Sequence, residues 1–160
     1  MIRAVAEHDG EALAAIYNPY ITELVTSFEY SPVDAAEMVR RIRATIPRYP
    51  WLVYEEDGEP LGYAYASRWK ERAAYHYCAE TTVYLRQGAE GRGIGTRLYG
   101  ALLQRLPDHD VKVAIGCIAL PNDASVALHE KLGFQKVGHF PAVGHKFDHW
   151  IDIGYWRKAL

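Results

Sequence analysis

Cysteine is scarce in this chain of 160 residues: there are two, Cys78 and Cys117. Two thiols far apart in sequence make neither a disulfide framework nor a metal knuckle. Each sits in an apolar run, so both are expected as buried free thiols. An excess of either charge is also missing, since 18 Lys and Arg against 20 Asp and Glu leave a formal net charge of −2. Broad nucleic-acid binding needs a basic face and is excluded on that ground. No apolar run is long enough to span a bilayer, and the opening "MIRAVAEHDGEAL" lacks the basic and apolar regions of a signal peptide. A soluble, cytoplasmic protein without a membrane partner is expected. Repeats, low-complexity tracts and long linkers are absent too, and apolar residues make up 49% of the chain. One domain spanning 1–160, with a substantial core, follows.

What is present is an alternation of strand and helix signals. "IRAVA" reads as a short strand, and Asp9 caps a helix through "GEALAAIYN" that Pro19 should stop. "SPVDAAEMVRRIRATIP" is a second helix with Ser31 as cap and Pro32 in its first turn. "WLVYEE" and "LGYAYASRW" are two strands joined at "DGEP", and "AYHYCAETTVYLR" is a long third one. A helix follows with Ile94, Leu98, Leu102 and Leu106 on one stripe, closed by Pro107. "VKVAIGCIAL" reads as an interior strand, and "NDASVALHEKLG" as a short helix with Asn122 or Asp123 as cap and Gly133 as stop. "FQKVGHF" and "HWIDIGYWRKAL" close the chain as strands. The order is β-α-α-β-β-β-α-β-α-β-β, a mixed α/β (α+β) layer.

The stretch "RQGAEGRGIGTRLYGALLQRL" sets four glycines, Gly88, Gly91, Gly93 and Gly95, before a helix. Unpaired backbone N–H groups at a helix N-terminus bind anions, and glycines let the ligand come close. The loop ends Gly93-Ile94-Gly95-Thr96, without the Lys-Ser/Thr of a triphosphate site. Thr96 stands where a dinucleotide fingerprint needs its third glycine, and Asp110 precedes a strand instead of ending one. Neither nucleotide reading fits.

The loop together with "IALPNDASVALHEKLGFQKVG" resembles the GNAT acetyltransferases. With "YPWLVYEEDGEPLGYAYASRWKERAAYHYCAETTVYL" and "GHKFDHWIDIGYW" added, the chain is similar to the phosphinothricin N-acetyltransferase group from about Ala12 to Trp156. The resemblance implies a mixed central sheet splayed between its fourth and fifth strands, flanked by helices, with acetyl-CoA as co-substrate in the gap. By position, Val83, Tyr84 and Leu85 would offer backbone groups to the acetyl and pantetheine portions. Gly91, Arg92, Gly93, Ile94, Gly95 and Thr96 would hold the pyrophosphate, and Asn122 the pantetheine arm. The Val83 N–H would be the oxyanion donor. One residue departs from the pattern: relatives carry Gln or Arg where this chain has Glu90, and a carboxylate facing pyrophosphate repels it. Solvent exposure, or a pairing with Arg86 or Arg92, would remove most of that cost.

Acetyl transfer to an amine needs a base, an oxyanion donor and a route for protonating the leaving thiolate. Glu80, in the apolar and aromatic run "YHYCAETTVYL", is the candidate base, because burial raises a carboxyl pKa toward neutrality. It also aligns with the glutamate assigned that role in the resembling family. His129 stands where many relatives have a general-acid tyrosine, and imidazole can relay a proton near pH 7. Arg68, Lys70 and Arg72 lie after an apolar strand, where a cation could hold a carboxylate or phosphinate. Lys70 and Arg72 align with basic residues of the group, and Phe28 and Tyr84 with aromatics lining its acceptor pocket. The segment "GHFPAVGHKFDHWID" gathers His139, His145, Asp148, His149 and Asp152, but its spacing fits no familiar metal site. No metal is expected; the segment would instead border the acceptor pocket and a homodimer contact. The implied acceptor is a small amino-acid-like amine of the phosphinothricin, methionine sulfoximine or methionine sulfone type. A protein N-terminus, a polyamine, or a non-catalytic acyl-CoA sensor are the alternatives.

Overall fold

A computed structural model describes residues 1–160, and its element order is the one read from the sequence, with three short 3-10 turns added. The strands are β1 (Ile2–Ala4), β2 (Trp51–Glu56), β3 (Glu59–Arg68), β4 (Cys78–Leu85), β5 (Val113–Leu120), β6 (Gln135–Lys146) and β7 (His149–Ala159). The helices are α1 (Gly10–Thr22), α2 (Ala35–Thr45), α3 (Ile94–Arg105) and α4 (Asp123–Lys131). One seven-stranded sheet runs β1-β2-β3-β4-β5-β7-β6. Its β4–β5 pair is parallel and holds register only from Cys78↔Val113 to Glu80↔Ile115. Beyond Glu80 the two strands part, so the sheet is splayed where the resemblance placed the gap.

Two cores cover the two faces. Leu13, Ile16, Ile21, Met38 and Ile42 of α1 and α2 pack on Trp51, Val53 and Tyr63. On the other face Leu98, Tyr99 and Leu102 of α3 pack on Leu52, Ala64, Ala66, Ala114, Ile118 and Trp156. The α3 stripe is as expected, with Ile94, Leu98, Leu102 and Leu106 all at 1% exposure or less. The β2–β3 turn places both Asp57 (φ 52°) and Gly58 (φ 80°) in the left-handed region, the geometry of a tight hairpin turn.

Several local expectations are corrected. Helix α1 runs through Pro19 to Thr22; the burial of Tyr17 and Ile21 outweighs one lost backbone bond near the helix end. Asp9 occupies the cap position of α1 without capping it, because its carboxylate takes Arg3 and the Ala6 N–H instead. Helix α2 is capped not by Ser31 but by Asp34, whose side chain accepts the Glu37 N–H at 2.8 Å. The start is delayed because Asn18 grips Val33 on both sides, its Nδ2 donating to Val33 O and its Oδ1 accepting from Val33 N. The run from Ala74 is not all strand: Ala73–Tyr75 is a 3-10 turn and β4 begins at Cys78. Pro107 does not close α3 but sits within a 3-10 turn, Leu106–His109, that prolongs it. The expected burial of the thiols also fails, Cys78 being half-buried and Cys117 exposed. Cys117 lies on β5 past the point where β4 has separated, so no strand covers it.

Candidate active site

The splay opens a cavity of about 350 Å³ lined by β4, β5, α4 and the connection between α1 and α2. Glu80, Val83, Tyr84, His129 and Phe28, all singled out from the sequence, lie on its wall. Glu80 is half-buried at the last β4–β5 register position, and burial pushes its carboxyl pKa up while Lys70 pulls it back. Glu80 is therefore less acidic than an ordinary carboxylate, the condition for taking a proton near neutral pH.

Alternation along β4 fixes where its amides point. Arg86 N–H donates back to Leu61 of β3, whereas Leu85 N–H and carbonyl both meet the Tyr20 hydroxyl. Successive strand residues alternate sides, so Val83 turns its N–H away from β3 and into the gap, while Tyr84 turns its own toward β3. Of the three backbone groups singled out there, Leu85 is engaged by Tyr20 and only Val83 faces the opening. The Tyr84 ring instead packs with Tyr17, Tyr20 and Tyr63 at centroid separations of 4.8–5.6 Å.

His129 is buried at 5% exposure. Its Nδ1 lies 2.7 Å from Ser125 O, and a carbonyl only accepts, so Nδ1 carries the proton. Burial pulls the ring's pKa below the usual histidine value and keeps it neutral at pH 7. Nε2 must then accept from the Tyr99 hydroxyl at 3.0 Å, and Tyr99 accepts in turn from Thr81 Oγ1 at 2.6 Å. The Cδ2–Nε2 edge of the imidazole abuts Gly116, where an added Cβ would come within 2.5 Å of both atoms. Both ring nitrogens are thus occupied, and Thr81, Tyr99 and His129 form one buried chain.

At the other end of the gap, Gly91 and Gly93 have φ of 74° and 73°, and nothing stands within 4 Å of a Cβ built at either. Gly93 is the α3 N-cap and makes no side-chain cap bond, so Ile94, Gly95 and Thr96 begin α3 with their N–H groups toward the loop. This open cradle of left-handed glycines at a helix N-terminus fits an anionic group such as a pyrophosphate. Arg92 donates from Nη2 to both carboxylate oxygens of Glu56, and Arg97 stacks over Tyr54. Glu90 pairs with neither Arg86 nor Arg92: its carboxylate folds back to accept the Gly88 N–H at 2.7 Å. Asn122 caps α4 through Oδ1, which accepts the Ser125 N–H, and leaves its amide donor for other partners.

The basic hairpin end is elsewhere. Lys70 and Arg72 are exposed and border a separate basic hollow with Arg48, Arg68 and His76; neither lines the splayed cavity. Within the cavity the charged groups are two carboxylates, Glu80 and Glu29. Glu29, missed from the sequence, accepts from the Tyr17 hydroxyl and takes a bidentate Arg41, which holds its pKa down. Tyr17, Ser27, Tyr65, Thr81, Cys117 and Ser125 were also missed; each is an ordinary residue of its own strand, helix or loop, and only the fold brings them together. The histidine-rich tail forms no cluster able to hold a metal, and His139 pairs with Asp152 at 2.8 Å.

Comparison with known proteins agrees with this geometry. Residues 5–134 match the model of the acetyltransferase (GNAT) family. The chain is 38% identical over 157 residues to a phosphinothricin N-acetyltransferase of Streptomyces viridochromogenes, covering 98% of this chain and 86% of that one. Among solved structures, a ribosomal-protein-alanine N-acetyltransferase from Brucella melitensis superposes with a TM-score of 0.97 at 32% identity, over 100% of this chain and 99% of that one. A GNAT superfamily phosphinothricin acetyltransferase from Sinorhizobium meliloti, in complex with acetyl-CoA, superposes with a TM-score of 0.96 at 32% identity, over 100% of this chain and 88% of that one. This protein is a member of the GNAT acetyltransferase family.

Proposed function

We propose that this enzyme transfers acetyl from acetyl-CoA directly to the α-amine of a small amino-acid-like acceptor, of the phosphinothricin, methionine sulfoximine or methionine sulfone type. The observation that carries the reading is the half-buried, pKa-raised Glu80 beside the inward N–H of Val83, at the point where the sheet opens. Acetyl-CoA supplies the acyl group; the residues of this chain supply the rest. Gly91 to Thr96 receive the pyrophosphate, and the amide of Asn122 is left to bond the pantetheine arm. Glu80 takes the proton that the acceptor's ammonium must lose before its lone pair can attack. Val83 N–H donates to the carbonyl oxygen as that oxygen gains charge. The C–N bond forms and the C–S bond breaks, and the second proton shed by the attacking nitrogen goes to the departing thiolate, leaving an amide and the free CoA thiol.

His129 lines the cavity, but both its nitrogens are occupied, so its contribution runs through Tyr99. Through the buried Tyr99 hydroxyl it orients Thr81, which lines the cavity. Phe28 and Tyr84 shape the acceptor side. Lys70 and Arg72, outside the cavity, are left to act on a substrate's acidic end from its rim or by their field. A cytoplasmic setting and a homodimer complete the reading, the exposed aromatics Phe140, Phe147 and Trp150 of the β6–β7 hairpin supplying surface for the contact.

A second acceptor class, a protein N-terminus, is favoured by the likeness to the Brucella melitensis enzyme. Release of CoA thiol with phosphinothricin, methionine sulfoximine, methionine sulfone, spermidine and an Ala-initiated peptide separates the readings. Turnover highest with the first three is expected. Turnover highest with the peptide replaces the proposed acceptor, and measurable CoA binding with no release on any amine makes the protein a sensor.

A further inference from the structure

The reaction just described leaves one buried lysine without a role, beside the acceptor side of the cavity. Lys146, near the end of β6, is 4% exposed. Its ammonium meets no carboxylate. It donates instead to three carbonyls of one short segment: Ser27 O at 2.6 Å, Leu24 O at 2.7 Å and Tyr20 O at 3.5 Å. Those carbonyls lie in the last turn of α1 and the connection after it, where the helix dipole and unpaired carbonyls favour a cation. The same connection supplies Thr26, Ser27, Phe28 and Glu29 to the cavity wall.

Two neighbouring contacts hold the same pair of segments together. Gly144 lies directly under the Phe28 ring, with no room for a Cβ between them. The Tyr30 hydroxyl donates to His145 O. Three successive residues of β6, Gly144, His145 and Lys146, therefore each engage the connection that forms the acceptor wall. An ammonium buried against three backbone carbonyls and the Phe147 ring, 5.1 Å away, is costly to desolvate, and residues 23–29, which it holds, include no buried apolar side chain. Phe28 and Leu24 are both 42% exposed.

We infer that Lys146 is a positioning residue for acceptor recognition: its clamp on the carbonyls of Tyr20, Leu24 and Ser27 fixes the Thr26–Glu29 wall against which the acceptor's side chain is read. The inference rests on the acetyltransferase reading of this cavity. The glycine cradle, Gly91–Thr96, shares no residue with the clamp, and the links between the two run through Tyr20, whose hydroxyl bonds Leu85, and Glu23, which accepts from Gln87.

The test compares Lys146→Met, Lys146→Arg and Tyr30→Phe with the parent chain. Tyr30 is exposed, so its variant keeps the clamp informative if Lys146→Met folds poorly. Amide hydrogen exchange over residues 20–30 needs no turnover and reads the clamp directly. KM is then measured separately for acetyl-CoA and for the amine that the parent acetylates best. Lys146→Met should speed exchange in that segment and raise acceptor KM about tenfold or more, with acetyl-CoA KM within about twofold. Lys146→Arg should restore part of both, and Tyr30→Phe should shift both in the same direction by less. Unchanged exchange at 20–30, or equal rises in the two KM values, overturns the inference. Failure of the parent chain to acetylate any amine removes the acetyltransferase reading instead, and it is told apart because the exchange measurement still reports the clamp.

Discussion

Gly116→Ala is the sharpest probe of the buried Thr81–Tyr99–His129 chain. Gly116 is not in the left-handed region, so alanine meets no backbone strain there. The only obstacle is the His129 ring, 2.5 Å from the new Cβ at Cδ2 and Nε2. The ring belongs to a buried side chain on α4 and has to swing away, giving up Tyr99 at 3.0 Å and Ser125 O at 2.7 Å. Each bond contributes about 1 kcal/mol, and a buried partner left unpaired costs about 1–3 kcal/mol, so the total is about 2–4 kcal/mol. For a chain of this size that lowers Tm by about 5–15 °C.

The assay is thermal and urea unfolding of Gly116→Ala, His129→Ala and the double variant. Removing the imidazole removes the clash, so the double variant should be less destabilised than the sum of the singles, with a coupling of about 1–3 kcal/mol. The rate should follow: Gly116→Ala loses turnover although residue 116 touches neither substrate nor Glu80. A Gly116→Ala Tm within about 2 °C of the parent, or strictly additive effects, would show that Gly116 does not hold His129 in this chain.

Glu80→Gln should lower the rate at neutral pH about 100-fold or more while leaving CoA binding intact. The same variant should be more stable than the parent at pH 7. The folded carboxyl pKa is raised by burial, so the group's stabilising contribution is complete below its unfolded value near pH 4 and is lost as pH rises through the folded value. The Tm difference should therefore close on acidification, and a parent more stable than the variant at pH 7 would contradict the buried setting. Glu90→Gln keeps an acceptor for the Gly88 N–H and removes one negative charge from the rim of the pyrophosphate cradle. Affinity for CoA should rise a few-fold at low salt, the range of exposed charge pairs, and the gain should fade near 1 M salt. No change at low salt would place the carboxylate outside the reach of the phosphates.

Element order and the α3 stripe were legible because each rests on a local signal, periodicity or a turn dipeptide. The helix starts were less so. Asp34 displaces Ser31 as cap because Asn18, on another helix, holds Val33 extended, a contact that local capping chemistry does not encode. Cys117 looked buried because its strand is apolar throughout; exposure follows from the departure of β4, a property of the sheet and not of β5. In the site, Glu80 and the glycine loop could be found because unusual residues stood in a recognisable context. Tyr99, Thr81, Glu29 and Lys146 could not, since each is an ordinary residue of its element and acquires its role from a partner 10 or more positions away, 119 in the case of Lys146 and Ser27.

The two carboxylates of the cavity sit in opposite electrostatic settings. Glu29 is given Arg41 on both oxygens and the Tyr17 hydroxyl, so it is held ionised and inert as part of the wall. Glu80 receives only the pull of Lys70, on an exposed side chain, and otherwise shares the cavity wall with Tyr65, Thr82 and Cys117. Left without a close cation, it costs stability at neutral pH, and a neighbouring arginine would abolish that cost along with its basicity. The chain has arginines to spare and places them on Glu7, Glu37, Glu56 and Glu59. Pairing is thus supplied to structural carboxylates and withheld from the one at the opening of the sheet, the arrangement expected if selection acted on proton transfer there and not on stability.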